Sequence, residues 1–548
     1  MSLATNITVF IVVIVVYLAI TIVLGLLGWK HTKTAKDYMV AGRRIHPYIM
    51  AISYGATFIS TSAIVGFGGQ AANLGLGLLW LTFLNIFVGI FIAFVFFGKR
   101  TRHMGNNLDA HTFPELLGKR FDSRAIQRIA GVVIFVFMPL YAGAVLIGAA
   151  RFIEETFKKQ LNVNVQFVWA LIIFTIIIAI YVIAGGMKGV MYTDTLQGSL
   201  MLIGMITLFI FAYIKTPGNF IETHQSLTNL ASKMPEALLK GGMQGWTTMP
   251  ILGSPIWWTL VSTIIMGVGI GVLAQPQLAV RFMTVKNNKQ LNRGVLIGGI
   301  FILLMTGVAF MVGSLSNVYF FNTTGKIAVE VVEKGNVDSI IPAFINAAMP
   351  HWFVYLFMLT LLAAAMSTLS SQFHAIGTSF GRDVFSRSQY TADYKEVTTT
   401  RGVISTKIGI LIGIVLSLVL GYYLPISIIA RATAVFFGVC AAAFLPMFIL
   451  GLFWKRANKA GALAGMITGI VSSLFWMIFI HEPNSKMIGL VELLTAKTSL
   501  LGAPWKGIDQ IIIAFPLAFI VTLIVTACTK PMPDKITDKA FKAEEVAD

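Results

Sequence analysis

Charge is scarce in this sequence. Of 548 residues only 12% are Asp, Glu, Lys or Arg, while 57% are hydrophobic and the mean hydropathy is +0.81. Soluble domains carry about twice that charged share, so a water-soluble fold is excluded. Cysteine is nearly missing as well. Cys440 and Cys528 are the two present, which rules out a disulfide framework and a thiolate metal cluster. No His-Glu-x-x-His zinc motif occurs, and no nucleophile elbow stands in a plausible setting, so an intramembrane enzyme has nothing to rest on. The G-x-x-x-x-G-K-[ST] phosphate loop is missing too, which argues against an ATP-driven motor.

What the sequence has is long apolar runs. Residues 10–29, "FIVVIVVYLAITIVLGLLGW", pass without a charge and are long enough to cross about 30 Å of hydrocarbon. With no basic stretch before it and no small-residue cleavage site after it, this run is expected to stay in the protein. About thirteen such spans are expected, at 6–29, 48–74, 75–98, 129–151, 167–186, 190–214, 256–281, 294–314, 352–376, 403–420, 426–452, 461–480 and 508–528. The net charge of +18 comes from Lys and Arg gathered in alternate loops such as "GKRTRHMG" and "FWKRANKAG". That asymmetry is the positive-inside rule, which places the N-terminus outside and the C-terminus inside and makes nucleic acid an unneeded partner.

The spans fall into an N-terminal extra helix with a basic inner loop (1–47), a five-helix set starting inside (48–214) and an outer loop (215–255). A five-helix set starting outside (256–452), two further helices (453–528) and an inner tail (529–548) complete the chain. Two equal sets of opposite sense suggest an inverted-topology repeat, common in secondary transporters. In such folds the first helix of each set is broken at mid-bilayer. Here those helices read "SYGATFISTSAIVGFGG" and "IIMGVGIGVLAQP", where Gly267, Gly269, Gly271 and Pro276 weaken helical continuity. The plainer alternative is that the glycines permit close helix packing.

One span carries "AAAMSTLSSQ", residues 363–372. On a helical wheel Ala364, Ser367, Thr368, Ser370 and Ser371 share one face about 160° wide. Each hydroxyl could bond back to its own helix, but four on one face point to a ligand, and a hard cation takes oxygen ligands. A second element, "GGMKGVMYTDTLQGSL", places Asp194 at the start of a span. An intramembrane carboxylate costs about 2.5–3.5 kcal/mol on insertion scales and marks function; the alternative is a solvated aspartate or a partner for Lys188.

These stretches, with "GATFISTSAIVGFGG", "GVLAQPQLAVRFM" and "GLFWKRANKAGALAGM", resemble the sodium/solute symporter family, relatives of the sodium-coupled proline, pantothenate, sialic acid and monocarboxylate symporters. The resemblance spans most of the chain. It implies an all-α integral membrane protein with a LeuT-like five-plus-five inverted repeat. It further implies a first Na+ site from the carbonyls of Ala56, Ile59 and Ala364 with the hydroxyls of Ser367 and Thr368. Asp194, Ser370 and Ser371 match a second Na+ site found in some members, so two sodium ions per cycle are expected. The implied role is uptake of a small organic solute across a prokaryotic cell membrane, with Na+ as the coupling ion and lipid as the surrounding partner.

The solute is expected between the two broken helices, near Phe58, Ser60, Ser62, Tyr141 and Gln275. Phe58 stands where the proline symporters carry an aspartate, and Val268 and Val272 stand where they carry aromatics. Sugar-binding amides and acids, and the sialic acid transporters' arginine, are also missing. Arg431 looks like the one intramembrane cation, about 7 Å from the outer end of its span at 1.5 Å per residue. It either reaches the headgroups or anchors a carboxylate. A small organic acid, such as a monocarboxylate or a pantothenate-like compound, is the expected cargo; proline or another neutral amino acid is the alternative. A cation channel or a transporter-like sensor is the rival class. His374 is expected to be a packed histidine.

Overall fold

The computed structural model describes residues 3–542 apart from 33, 161, 163 and 386–399. Residues 386–399, between the expected spans 352–376 and 403–420, and the last six residues of the expected tail therefore lie outside the described residues. Eleven described helices are long and apolar enough to cross a membrane. They match eleven of the expected spans. The other two, 48–74 and 167–186, contain the helix interrupted at Ile59 and the shorter apolar helix Phe167–Ile180. No strand occurs among the described residues; a lone bridge joins Ile45 to Val285.

Burial sorts the helices. Within their most apolar stretches, 94% of Ile429–Phe453 and 89% of His351–Val384 are buried, against 22% of Ile11–Lys30. The first two form the centre. The last turns Val15, Val16 and Ile20 outward, as lipid-facing helices do once their backbone bonds are satisfied internally.

Two central helices are broken. Pro47–Phe58 begins with Pro at its first turn and ends at Ile59, whose backbone is extended (φ −92°, ψ 106°). Helical structure resumes with a π-type turn from Ser62 to Phe67 and continues as Gly68–Leu74. The second helix starts at Pro255, capped by Ser254, and runs to Ala274. There Gln275 is extended (φ −75°, ψ 116°) because the residue before a proline is driven out of the helical region. Pro276–Phe282 then restarts it. The entrance of the first broken helix and the exit of the second are tied together, since the Ile45 amide donates to the Thr284 carbonyl at 3.1 Å.

The 49-residue helix Phe167–Lys215, which carries Asp194, bends at Gly186 (φ +59°). A side chain there would be strained by the dihedral and would meet the Tyr38 ring at 2.8 Å.

Candidate ion and solute site

The hydroxyl helix His351–Thr378 lies across the gap in the first broken helix. Ser367 Oγ donates to the Ala56 carbonyl at 2.8 Å and to its own helix at Ala364 O at 3.2 Å. Thr368 Oγ1 donates to Thr57 O at 3.0 Å and Ala56 O at 3.5 Å. Ala56 and Thr57 sit in the last turn before the break, where carbonyls lose their intrahelical partners. Ile59 stands in the break itself, 1% exposed, and its amide donates to Gly55 O at 2.9 Å. The break thus frees carbonyls, and two hydroxyls from another helix reach across to them. Thr57 O joins this set and was not expected from the sequence.

One turn on, Asp194 is fully buried and meets the same two helices. Ser53 Oγ donates to Asp194 Oδ2 at 2.7 Å, Thr57 Oγ1 at 3.4 Å, and Ser370 Oγ to Oδ1 at 3.5 Å. Ser370 and Ser371 also bond back to Ser367 O, each at 3.0 Å. Asp194 does not pair with Lys188, whose ammonium lies 3.9 Å from Asp37. Its partner is Arg281, with Nη2 at 2.8 Å from Oδ2 and both side chains 0% exposed. Arg431 is therefore not the one intramembrane cation. The signal of Arg281 in the sequence is an arginine inside "GVLAQPQLAVRFM", one turn after Gln277 in an otherwise apolar run.

Past the gap lies a cavity of about 20 Å³, room for roughly one water. Phe58, Ser60, Ser62 and Tyr141 all line it, together with Phe67, Asn85, Val268, Thr306, Phe310, Thr433 and Phe437. Ser60 Oγ and Tyr141 Oη lie 3.3 Å apart, and Ser60 Oγ also accepts from the Ser62 amide at 3.1 Å. Ser62 Oγ and Asn85 Oδ1 are buried with no protein partner. None of the described lining residues is Asp, Glu, Lys or Arg. Gln275 is absent from this lining; its amide donates to Gly271 O at 3.2 Å and accepts from Gln277 at 3.2 Å. Arg431 is absent too. Thr433 and Phe437 of its helix face the cavity, whereas Arg431 acts electrostatically on His481, whose imidazole burial and that charge hold down to about 4. His374 is packed, with Nε2 3.1 Å from Tyr38 O.

This arrangement, two broken helices around an oxygen-lined gap beside a small cavity, is that of a coupled transporter. The family model "Sodium:solute symporter family" matches residues 38–469, and the chain belongs to that family. The sodium/proline symporter 2 of Staphylococcus saprophyticus is 26% identical over 98% of this chain and 96% of its own. The sodium/pantothenate symporter of Haemophilus influenzae is 26% identical over 84% and 88%. Among solved structures, a Na+-coupled sialic acid symporter in a substrate-bound outward-open state shares the fold at a TM-score of 0.71. It is 20% identical and covers 96% of this chain and 98% of its own. The protein is a multi-pass membrane symporter that couples sodium entry to uptake of a small solute.

Proposed function

We propose that residues 48–214 and 256–452 form a LeuT-like five-plus-five inverted repeat. The flanking segments are 1–47, 215–255, 453–528 and 529–548, with the N-terminus outside and the C-terminus inside. The two interruptions, at Ile59 and Gln275, support this, since each falls in the first helix of its set.

In this reading the coupling sodium sits in the gap, held by the carbonyls of Ala56, Ile59 and Ala364 and the hydroxyls of Ser367 and Thr368. The cross-gap bonds from Ser367 and Thr368 support it. Those hydroxyls are already aimed at the freed carbonyls; a sodium ion would take the oxygens of both sides and tie the broken helix to the hydroxyl helix. Neutral ligands hold the ion without trapping it, as release requires. Sodium binding then favours whichever state brings the helices together, which is how its gradient drives the cycle.

The cargo we infer is a small, largely apolar organic acid. The carrying observation is a cavity walled by aromatic rings, with hydroxyls from Ser60, Ser62 and Tyr141 and no ionised side chain among its described lining. A carboxylate gains from those donors and from the N-terminal end of the half-helix that restarts at Ser62, where the dipole is positive. An amino acid would leave its ammonium without a carboxylate. Pantothenate, the cargo in one relative's name, is a carboxylate without an ammonium, although more polar than this lining suggests; proline, the cargo in others, carries an ammonium. A thermal-shift screen of monocarboxylates, pantothenate and proline, each with and without sodium, tests the assignment. Stabilisation by an acid that requires sodium supports it; sodium-dependent stabilisation by proline instead replaces the acid with an amino acid.

A further inference from the structure

The expected second sodium site holds a charge already. We propose that the Arg281 guanidinium is the resident cation of that site, so that one sodium ion, not two, is bound per cycle; this rests on the sodium reading above.

The geometry carries it. Arg281 Nη2 lies 2.8 Å from Asp194 Oδ2, 2.6 Å from Ser371 Oγ and 2.5 Å from Thr57 Oγ1. Nε donates to Ser53 Oγ at 3.1 Å and Nη1 to Gln277 O at 2.5 Å. An Nη atom has two hydrogens, yet three side-chain oxygens crowd this one. Such a shell is what a metal cation gathers, and here a nitrogen stands at its centre. Two of the three residues that the sequence assigned to a second sodium, Asp194 and Ser371, are thus spent on the guanidinium. The third, Ser370, is only 3.5 Å from Asp194 and bonds mainly to its own helix.

Charge agrees with geometry. Asp194 and Arg281 are both 0% exposed and neutralise each other. A sodium ion added to this cluster would lie within a few ångströms of the guanidinium while the one carboxylate is already shared, a repulsion that buried like charges do not sustain. The first site has only hydroxyls and carbonyls around it, so no cation among its ligands opposes the ion there. Arginine also keeps its charge under all ordinary conditions, so this cation does not dissociate. It is tethered to the helix that follows the second break, so the cluster links that helix to the first broken helix (Ser53, Thr57), to the Asp194 helix and to the hydroxyl helix (Ser371). A permanent tether does there what a second ion does elsewhere. It closes the site without adding to the coupling stoichiometry.

The test is a count of radioactive sodium bound at saturation to the purified full-length chain, needing no knowledge of the cargo. One ion per chain is expected, with a Hill coefficient of one; two ions overturn the proposal and leave the symport reading standing. Absence of any saturable sodium binding overturns the symport reading itself. Arg281→Gln, which empties the shell and leaves Asp194 bare, is expected to raise the count from one to two; a count that stays at one overturns the proposal. Should that variant fail to fold, Asp194→Asn with Arg281→Gln removes both charges together. The single ion is then expected to bind with affinity within about twofold of the unaltered chain, and its loss would show that the Asp194 cluster, not the gap, held it.

Discussion

Ser62 carries a hydroxyl that is wholly buried yet bonded to nothing in the protein. A group in that position costs stability unless a ligand or water pairs it, and the proposed solute would do so. Ser62→Ala removes no internal bond, so the melting temperature should hold or rise slightly. The half-saturating solute concentration should rise about tenfold, the worth of about 1.4 kcal/mol for one hydrogen bond to a carboxylate. Uptake kinetics alongside a thermal melt check this. Lower stability with unchanged uptake would remove Ser62 from the cavity's chemistry. At this scale the sequence was legible where chemistry is repetitive. Ser367 and Thr368 stood out as hydroxyls on one helical face, and Phe58, Ser60 and Ser62 adjoined a break. Asn85 and Arg281 were not legible. Each is one polar residue in an apolar run, and only the packing of distant helices decides whether such a residue faces lipid, a partner or a cavity. Arg431 shows the converse, a conspicuous charge whose helix turns other residues to the site.

At the scale of elements, Glu115, in the helix Phe113–Arg120, is latched against Arg382, in the π-type segment Ser379–Val384 that continues the hydroxyl helix. Both Glu115 oxygens accept from Arg382 at 2.9 Å, and Lys119 lies 2.8 Å away. Burial alone would raise this carboxyl, but Arg382, His111 and Lys119 outweigh it and hold the group well below the ordinary range. A depressed folded-state value gives stability that is complete above the unfolded value, about 4.3, and is lost as pH falls through the folded one. Melting temperature should therefore be insensitive to this group between pH 7 and 5 and decline only in stronger acid. Glu115→Gln strands a mostly buried Arg382, and the cost should be about 3 kcal/mol at neutral pH. A melt of the variant that matches the unaltered protein at pH 7 would show that the latch contributes nothing. Helix positions were readable from apolar run length, since membrane helices must satisfy their own backbone bonds. The second break was readable from Pro276 alone, since Gly267–Gly271 stay helical and instead let Leu84 and Phe437 pack close; the gap at Ile59 was not readable, because no local residue forces it as Pro276 does at Gln275.

For the whole molecule, stoichiometry and cargo charge together set what the gradient can do. Each charge moved gains about 2.3 kcal/mol per 100 mV, and a tenfold sodium gradient adds about 1.4 kcal/mol. One sodium with a neutral solute supports about 500-fold accumulation; two would support about 2 × 10⁵-fold. One sodium with a monovalent acid moves no net charge, so the proposals jointly predict uptake that follows the sodium gradient and ignores an imposed potassium diffusion potential. Uptake that rises steeply with inside-negative potential would exclude that combination.

All of this depends on oxygens meeting across the gap in the first broken helix. The sodium concentration needed for half-maximal thermal stabilisation, compared between the unaltered chain and Thr368→Ala, probes that point most directly. Loss of one ligand should raise it about tenfold or more while potassium stays without effect; the same sodium dependence in both proteins would contradict the account.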